Sequence, residues 1–174
     1  LAMSDVPARE STATYRAIDI DPHFTRVVRY FRPSDYVVWG AATASGPAFV
    51  LGFERINPTY TGPAAVASML RYATLLGACA GFMLAYQRSS LRFWGWTENQ
   101  REYEKDLREM RQRVREGKPL YGASSQPEYA QQASSWNSKF AALKFAAYPW
   151  FNFANHNQHG VDTSRYYEDT DSSK

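Results

Sequence analysis

Residues Tyr36–Phe53, YVVWGAATASGPAFVLGF, form a run of eighteen positions without a charged side chain. A second uncharged stretch, Tyr72–Gln87 with the sequence YATLLGACAGFMLAYQ, follows after a short connection. A helix of roughly 17 to 25 mostly apolar residues can cross the hydrocarbon core of a bilayer. The two stretches therefore predict a mainly α-helical protein built on a two-span transmembrane helical hairpin.

The borders of both stretches favour a membrane over the alternative of one soluble domain with two core helices. With 174 residues the chain is long enough for either arrangement. Aromatic and basic side chains collect at both outer borders, where the headgroup layer of a bilayer favours them. The arginines predicted to lie at the membrane border, near lipid headgroups, are Arg26, Arg29, Arg32, Arg88 and Arg92.

The hairpin divides the chain into three predicted parts. These are an extended N-terminal extramembrane segment at 1–33, the hairpin at 34–88, and a C-terminal extramembrane region of helices and irregular segments at 89–174. The connection Glu54–Pro63 contains one acidic and one basic residue, whereas both outer flanks are rich in Arg and Lys. The positive-inside tendency then places both termini on the cytoplasmic side or, in a mitochondrion, on the matrix side.

Small residues recur every four positions in each stretch, so they line one face of each helix. Membrane helices associate through close packing, which small side chains permit. The predicted helix-packing interface consists of Gly40, Ala44, Ala48 and Gly52 in the first stretch and of Ala73, Gly77, Gly81 and Ala85 in the second. The two rows could pack within the hairpin or dock on neighbouring proteins, and Gly and Ala are also simply common in membrane helices.

The middle of the first stretch is only weakly apolar because it contains Thr43, Ser45 and Pro47. Pro47 removes a backbone donor and predicts a kink, and a carbonyl freed inside a membrane needs another partner. The stretch therefore fits the interior of a larger assembly better than the role of an isolated anchor.

An amphipathic helix is predicted from about Glu98 to Gly117. Thr97–Gln100 matches a capping box, and Gly117 is a typical residue for a helix end. An apolar stripe lies on one face and faces either a partner or the chain's own surface; it consists of Tyr103, Leu107, Met110 and Val114. Interspersed acidic residues argue against nucleic-acid binding.

The C-terminal region contains a second predicted helix, Ser134–Ala147, which Pro149 ends. Aromatic side chains and lysines in and after this helix fit a membrane interface or a groove on a neighbouring protein equally well. The polar residues 162–174 predict an extended or loosely ordered tail.

Motifs of catalysis and cofactor binding are not found in this sequence. It has no P-loop, no GxGxxG after a strand, no CxxC and no nucleophile elbow. His156 and His159, with Asp162 close by, supply too few ligands for a convincing metal site.

Cys79 lies within the second stretch and is predicted to be a packing residue. The N-terminal residues lack the apolar core of a secretory signal, so internal targeting signals are expected. We predict no catalytic residue, cofactor or metal.

Four blocks of the sequence resemble the fungal 21 kDa (20.9 kDa-type) accessory subunits of mitochondrial NADH:ubiquinone oxidoreductase, respiratory complex I. They are DPHFTRVVRYFRPSDY at Asp21–Tyr36, YQRSSLRFWGWTENQRE at Tyr86–Glu102, GKPLYG at Gly117–Gly122 and HGVDTSRYY at His159–Tyr167. The resemblance implies a two-span subunit of the membrane arm in the mitochondrial inner membrane, with no flavin, iron–sulfur cluster or quinone site of its own.

The expected role is physical support of neighbouring membrane-arm subunits. The basic and aromatic borders would also contact phospholipid, including anionic lipid such as cardiolipin. Two alternatives remain open at this point. One is an import or scaffold component of the inner membrane outside complex I, and the other is a small homo-oligomeric transporter.

Overall fold

The computed structural model describes residues 13–146 and 151–168, with side chains for all of these except 144–146. This part of the chain is helical and contains no strand, which confirms the predicted fold class. The α-helices are α1 (Phe24–Arg29), α2 (Pro33–Ile56), α3 (Pro63–Phe93), α4 (Gln100–Arg115) and α5 (Glu128–Ser138), and short 3₁₀ helices lie at Ala141–Ala146 and Ser164–Tyr166.

The described residues fall into two compact units. Val28–Ser89 forms one, which we call the hairpin unit, and the described residues up to Val27 and from Ser90 onward form the other, which we call the terminal unit. The N-terminal segment thus belongs to the same unit as the C-terminal region. The three-part division at 33 and 88 stays a prediction.

Helices α2 and α3 are the two predicted spans, and both are long and apolar enough to cross a membrane by length and composition. With 24 and 31 residues, they measure about 36 Å and about 46 Å at 1.5 Å per residue. The most apolar 18-residue window of α2 is not buried at all, and 6 % of the corresponding window of α3 is buried. Core helices of a soluble domain would be mostly covered, so this exposure favours the membrane over the soluble alternative.

Local sequence explains where α2 and α3 begin. Pro33 and Pro63 occupy the first positions of the two helices, where a missing N–H is not needed and the fixed φ suits a helix. The Asp35 carboxylate accepts a hydrogen bond of 2.8 Å from the Arg32 amide. Its Oδ1 atom also lies 3.2 Å from Nε of Arg88, a residue of α3. This ion pair joins the beginning of α2 to α3.

The terminal unit is held together by backbone hydrogen bonds between distant parts of the sequence. The Ile18 amide donates to the Phe93 carbonyl at 2.8 Å, the Ile20 amide to His159 at 3.1 Å, and the Phe24 amide to Asn152 at 2.7 Å. The N-terminal segment therefore lies between the end of α3 and the loop around His159, although it forms no strand.

Helix α4 matches the predicted helix, but the predicted capping box is wrong. Asn99 precedes the helix without a side-chain cap, because its amide group donates instead to the carbonyls of Arg16 and Arg92 at 2.8 and 2.7 Å. The predicted end is confirmed: Gly117 has a φ of +64°, and its amide bonds to the Val114 carbonyl at 3.0 Å.

The predicted helix Ser134–Ala147 is wrong in both position and length. Helix α5 begins after Pro127 and ends at Ser138, and Phe140 has a φ of +54°. The Phe140 ring packs 5.1 Å from Trp94 and 5.9 Å from Trp96, so a tertiary contact overrides the local helical pattern. Ala147, Pro149 and Trp150 lie outside the described residues.

The predicted loose tail is wrong for the residues up to 168. Ser164–Tyr166 forms a 3₁₀ helix, and Tyr166 is fully buried. Residues 169–174 lie outside the described part of the chain. Residues 1–12, on which the prediction about targeting signals was based, also lie outside it.

Candidate functional site

Close packing between α2 and α3 depends on glycines of both helices. A Cβ added to Gly77 would lie 2.8 Å from the Ala42 carbonyl oxygen, and one added to Gly81 would lie 2.7 Å from that of Trp39. On α2, Gly46 lies against the Ala73 carbonyl in the same way. Side chains under 3 Å from backbone atoms cannot be accommodated without movement, so these glycines set the distance between the helices.

A hydrogen bond and aromatic contacts add to this interface. The Trp39 indole Nε1 donates to the Ala78 carbonyl across the helices at 2.9 Å, and its ring meets Phe82 edge to face with centroids 5.2 Å apart. Within α2, Thr43 Oγ1 donates to the Trp39 carbonyl at 2.8 Å. Polar groups in the middle of the hairpin thus find partners inside it, as a membrane requires.

The structure brings one predicted row of small residues into the hairpin and leaves the other outside. Ala73, Gly77 and Gly81 face α2, and Ala85 is fully buried. Every member of the row on α2 is exposed, and a Cβ on Gly40 or Gly52 would meet nothing within 4 Å; this row is Gly40, Ala44, Ala48 and Gly52.

Helix geometry explains the position of the exposed row. Beyond the Asp35–Arg88 ion pair, the residues of α2 that contact α3 include Trp39, Ala42, Thr43 and Gly46. At 100° per residue, the side chains of this contacting set and those of the exposed row point to opposite sides of α2. Spacing alone did not reveal this, because Ala42 and Gly46 are also small and four residues apart.

The terminal unit contains a buried group of ionised side chains that the sequence analysis did not find. Arg26 contacts Asp19 Oδ2 at 2.5 Å and also pairs with Asp106 of α4. All of these side chains are at most 9 % exposed. Buried charges are stable only when they are paired, so removing one partner is strongly unfavourable.

The histidines considered as metal ligands bind carboxylates of the N-terminal segment instead. His159 Nδ1 lies 2.7 Å from Asp19 Oδ1, and His156 Nε2 lies 2.8 Å from Asp21 Oδ2. Asp162 accepts a hydrogen bond from the Ser164 amide at 2.9 Å. Among residues 13–146 and 151–168, no group of three or more His, Cys, Asp or Glu side chains could hold a metal ion.

Tyr166 and Arg165 join the C-terminal end of the described chain to the same cluster. The Tyr166 hydroxyl donates to Asp106 Oδ2 at 2.7 Å, and Arg165 Nη2 donates to the Ile18 carbonyl at 3.0 Å. We call these side chains the buried ionic cluster; its members are Asp19, Asp21, Arg26, Asp106, His156, His159, Arg165 and Tyr166.

The two central carboxylates have pKa values displaced in opposite directions. Burial is the largest influence on both and acts to raise the pKa. For Asp106, burial outweighs Arg26, Tyr166 and Arg165, so its pKa is raised. For Asp19, the combined effect of His159, Arg26 and the Asp21 amide wins, and the pKa is lowered. The cluster thus stabilises the anion of Asp19 more than that of Asp106.

The predicted border arginines lie in different environments. Arg26 and Arg92 are buried; Arg26 belongs to the ionic cluster, and Arg92 Nε lies 3.5 Å from Glu102 Oε1. The Arg88 side chain is 49 % exposed while it pairs with Asp35. Arg29 is exposed and Arg32 is half-buried. Of the predicted set, Arg29, Arg32 and Arg88 retain surface that a headgroup could contact.

The apolar stripe of α4 lies against the chain itself. Met110 is buried, and Leu107 and Val114 are half-buried. The guanidinium groups of Arg165 and Arg16 lie 5.3 and 5.8 Å from the centre of the Tyr103 ring. This placement favours the alternative in which the helix leans on its own chain over the one in which the stripe meets a partner.

Comparisons with known proteins agree with the resemblance predicted from the sequence. A family model described as the 21 kDa subunit of NADH-ubiquinone oxidoreductase complex I matches residues 12–98, and one for the C-terminal part of that subunit matches residues 107–174. The Neurospora crassa NADH-ubiquinone oxidoreductase 20.9 kDa subunit is 49 % identical over 154 residues, which cover 88 % of this chain and 82 % of that protein. The chain therefore belongs to the 21 kDa subunit family of NADH-ubiquinone oxidoreductase complex I.

Proposed function

We propose that this chain is a non-catalytic accessory subunit that stabilises the membrane arm of mitochondrial complex I. It would lie in the mitochondrial inner membrane and hold neighbouring membrane subunits in place through its hairpin. Family membership supports its place in the complex. The two span-length helices support its place in the membrane.

The exposed row of small residues on α2 is the observation that carries this proposal. Gly40 and Gly52 at its two ends have open space where a Cβ would be, and the row extends over about 18 Å along the helix axis. Small side chains on one face of a membrane helix let another helix approach it closely. A neighbouring membrane subunit is therefore the best partner for this face.

The hairpin is suited to this task because its own interface is complete without the exposed row. The Trp39–Ala78 hydrogen bond and the Asp35–Arg88 ion pair hold α2 against α3. A partner would thus meet a helix that is already positioned, and little conformational entropy would be lost on docking.

The buried ionic cluster supports a structural role for the terminal unit. Its carboxylates bind arginine, histidine and tyrosine side chains of the same cluster. Such groups fasten the N-terminal segment and the C-terminal loop to α4. The arrangement explains stability without requiring a reaction.

We further propose that both termini face the matrix and that Arg29, Arg32 and Arg88 contact anionic phospholipid such as cardiolipin. The connection between α2 and α3, residues 57–62, carries no charged side chain, which suits the side away from the matrix. Clusters of arginine near a membrane surface attract anionic headgroups.

A double substitution, Gly40→Leu with Gly52→Leu, tests the docking of the exposed row. A Cβ at either position would meet nothing within 4 Å in the isolated hairpin, so we expect leucine to be accepted there but to keep a neighbouring helix at a distance. We expect several-fold less fully assembled complex on blue-native gels, with unchanged turnover per assembled complex. Cys79→Leu, at an exposed position of α3, is the matched control. Normal assembly with a lower turnover per complex would contradict the proposal.

A further inference from the structure

The three histidines of the chain differ in what their ring nitrogens contact. In His23, Nδ1 accepts a hydrogen bond from the Thr25 amide at 3.2 Å. In His156, Nδ1 accepts one from the Gln158 amide at 3.1 Å. A ring nitrogen that accepts an N–H carries no proton of its own. Both rings are therefore neutral, with their single proton on Nε2.

The Nε2 contacts of these two rings agree with that assignment. His23 Nε2 lies 3.1 Å from the Phe153 carbonyl oxygen. His156 Nε2 lies 2.8 Å from Asp21 Oδ2 and 3.2 Å from the side-chain nitrogen of Asn152. The carboxylate is both closer and charged, so the Nε2–H of His156 donates to it.

His159 differs because both of its ring nitrogens face an oxygen that can only accept. Nδ1 lies 2.7 Å from Asp19 Oδ1, and Nε2 lies 2.7 Å from the His156 carbonyl oxygen. The other contacts of Asp19 are donors as well, the Asp21 amide and the Arg26 guanidinium. A neutral ring has one N–H and one lone pair, so it would hold the lone pair against one of these oxygens. Two donors are present only in the imidazolium cation.

The surroundings of His159 also suit a cation. The Tyr121 ring is stacked on it with centroids 3.5 Å apart, and the neutral His156 ring with centroids 4.7 Å apart. A cation over the face of a tyrosine ring is attracted by that ring. The titratable and charged groups that contact His159 or its partners, from all the elements packed there, are Asp19, Asp21, Arg26, Asp106, Tyr121, His156, Arg165 and Tyr166.

The charges of the buried ionic cluster balance when His159 is a cation. The cluster contains three carboxylates and two guanidinium groups, which are those of Asp19, Asp21, Asp106, Arg26 and Arg165. With His156 neutral, one negative charge has no counterpart among the guanidinium groups, and the imidazolium supplies it. Buried charges are stable only when they are paired.

The backbone around His159 joins its loop to the N-terminal segment. The His159 carbonyl accepts the Ile20 amide at 3.1 Å, and a Cβ on the next residue, Gly160, would lie 2.8 Å from Ile20 Cδ1. The His159 Nε2–H closes the turn onto the His156 carbonyl. Loss of that proton places a lone pair against the carbonyl oxygen, so the turn that presents His159 to Ile20 is no longer stable.

We propose that His159 is a proton-dependent link, an imidazolium that holds loop 156–160 on segment 19–21 and releases it when the ring loses a proton. The loop is held firmly while the ring is charged and opens as the pH rises. The inference goes beyond the proposed function and does not depend on it, because every group involved belongs to this chain.

Nitrogen-15 NMR of the full chain with labelled histidines in detergent micelles tests the protonation states. The pH is raised from about 6 to about 8.5, across the ordinary pKa of a histidine, about 6.5. We expect His159 to keep both protons to a higher pH than His23 and His156, whose signals are assigned with His23→Gln and His156→Gln. A His159 ring that becomes neutral together with the other two would overturn the proposal.

Hydrogen exchange at the Ile20 amide measures the link itself in the same sample. With rates corrected for the intrinsic effect of pH, we expect protection of this amide to fall about ten-fold as His159 loses its proton, the effect of one hydrogen bond of a charged group. His159→Gln should show the low protection at every pH. His23→Gln, the matched control, should keep the pH dependence of the wild type. Wild-type protection that stays constant while the His159 ring changes its charge would also overturn the proposal.

Discussion

Asp19 has three partners in the buried ionic cluster, and it lies at a position that the sequence does not distinguish. It binds Arg26 and His159 through different oxygens, and the Asp21 amide donates to Oδ1 at 3.0 Å. These contacts come from the short helix α1, from the loop before Gly160 and from the segment itself. One carboxylate therefore joins parts of the chain that are 140 residues apart.

The first prediction concerns the stability that Asp19 provides and its dependence on pH. Asp19→Asn leaves Arg26 and His159 without their anion, so we expect a loss of about 3 kcal/mol in the free energy of unfolding at neutral pH. Because the pKa of Asp19 is lowered in the fold, its contribution is complete above the ordinary value of 3.8 and is lost as the pH falls through the lowered pKa.

Urea unfolding of the full chain in detergent micelles, followed by tryptophan fluorescence between pH 7 and pH 3, measures this difference. The gap between wild type and Asp19→Asn should narrow only at the acidic end of the range. Glu104→Gln, which changes an exposed carboxylate on α4, should leave the stability nearly unchanged. A gap that stays constant down to the lowest pH would show that Asp19 acts through packing and not through its charge.

The ionic cluster shows where sequence reasoning reached its limit at the scale of single residues. Asp106 shares a helical face with the apolar Tyr103 and Met110, and a carboxylate on that face was a usable signal of burial. Nothing local identified its partners, because Arg26 is 80 residues away. His156 and His159 were noted for metal binding, and only the fold shows that aspartates hold them.

At the scale of elements, the length of the two uncharged stretches predicted both long helices. The spacing of small residues did not determine which faces of these helices contact each other. A spacing of four defines a row on each helix but does not say which row of α2 faces α3. Trp39 settles this, since its indole reaches the Ala78 carbonyl only if α2 turns Ala42 and Gly46 toward α3. Helix α5 was misplaced for a related reason: the position of Phe140 depends on Trp94 and Trp96, which the local pattern does not contain.

The second prediction tests the hairpin as an element. Gly77→Leu or Gly81→Leu would push side-chain atoms into backbone of α2, because even a Cβ comes within 2.9 Å of carbonyl oxygens there. We expect the helices to separate and the amount of assembled complex to fall, while turnover per assembled complex stays nearly unchanged. Blue-native gels with activity normalised to assembled enzyme measure both quantities.

Two outcomes distinguish this from the effect of the exposed row. Gly77→Leu should also weaken the isolated hairpin, seen as faster hydrogen exchange at the Ala42 and Thr43 amides of the purified chain. Gly40→Leu with Gly52→Leu should leave that exchange unchanged, because its leucines face away from α3. If Gly81→Leu assembled as well as wild type, the close approach of the helices would not matter for the complex.

At the scale of the whole molecule, the sequence was sufficient for family, fold class and the presence of two candidate spans. The four blocks that carried the resemblance include much of the terminal unit's framework, with Arg26 and Glu102 in the first two and Tyr121 and Arg165 in the others. Their shared role became visible only in three dimensions. Blocks far apart in the sequence can therefore belong to one folded unit.

The last prediction concerns the orientation of the molecule in the membrane. An even number of spans puts both ends of the chain on one side, and the uncharged residues 57–62 on the other. In a Cys79→Ser background, Thr61→Cys places a thiol in the exposed connection, and Ser125→Cys places one on an exposed loop of the terminal unit. With the termini in the matrix, an impermeant maleimide should label Thr61→Cys in mitochondria whose outer membrane is ruptured, and Ser125→Cys only after the inner membrane is dissolved. The reverse pattern would place the termini outside the matrix, and labelling of both thiols in intact mitoplasts would contradict two spans.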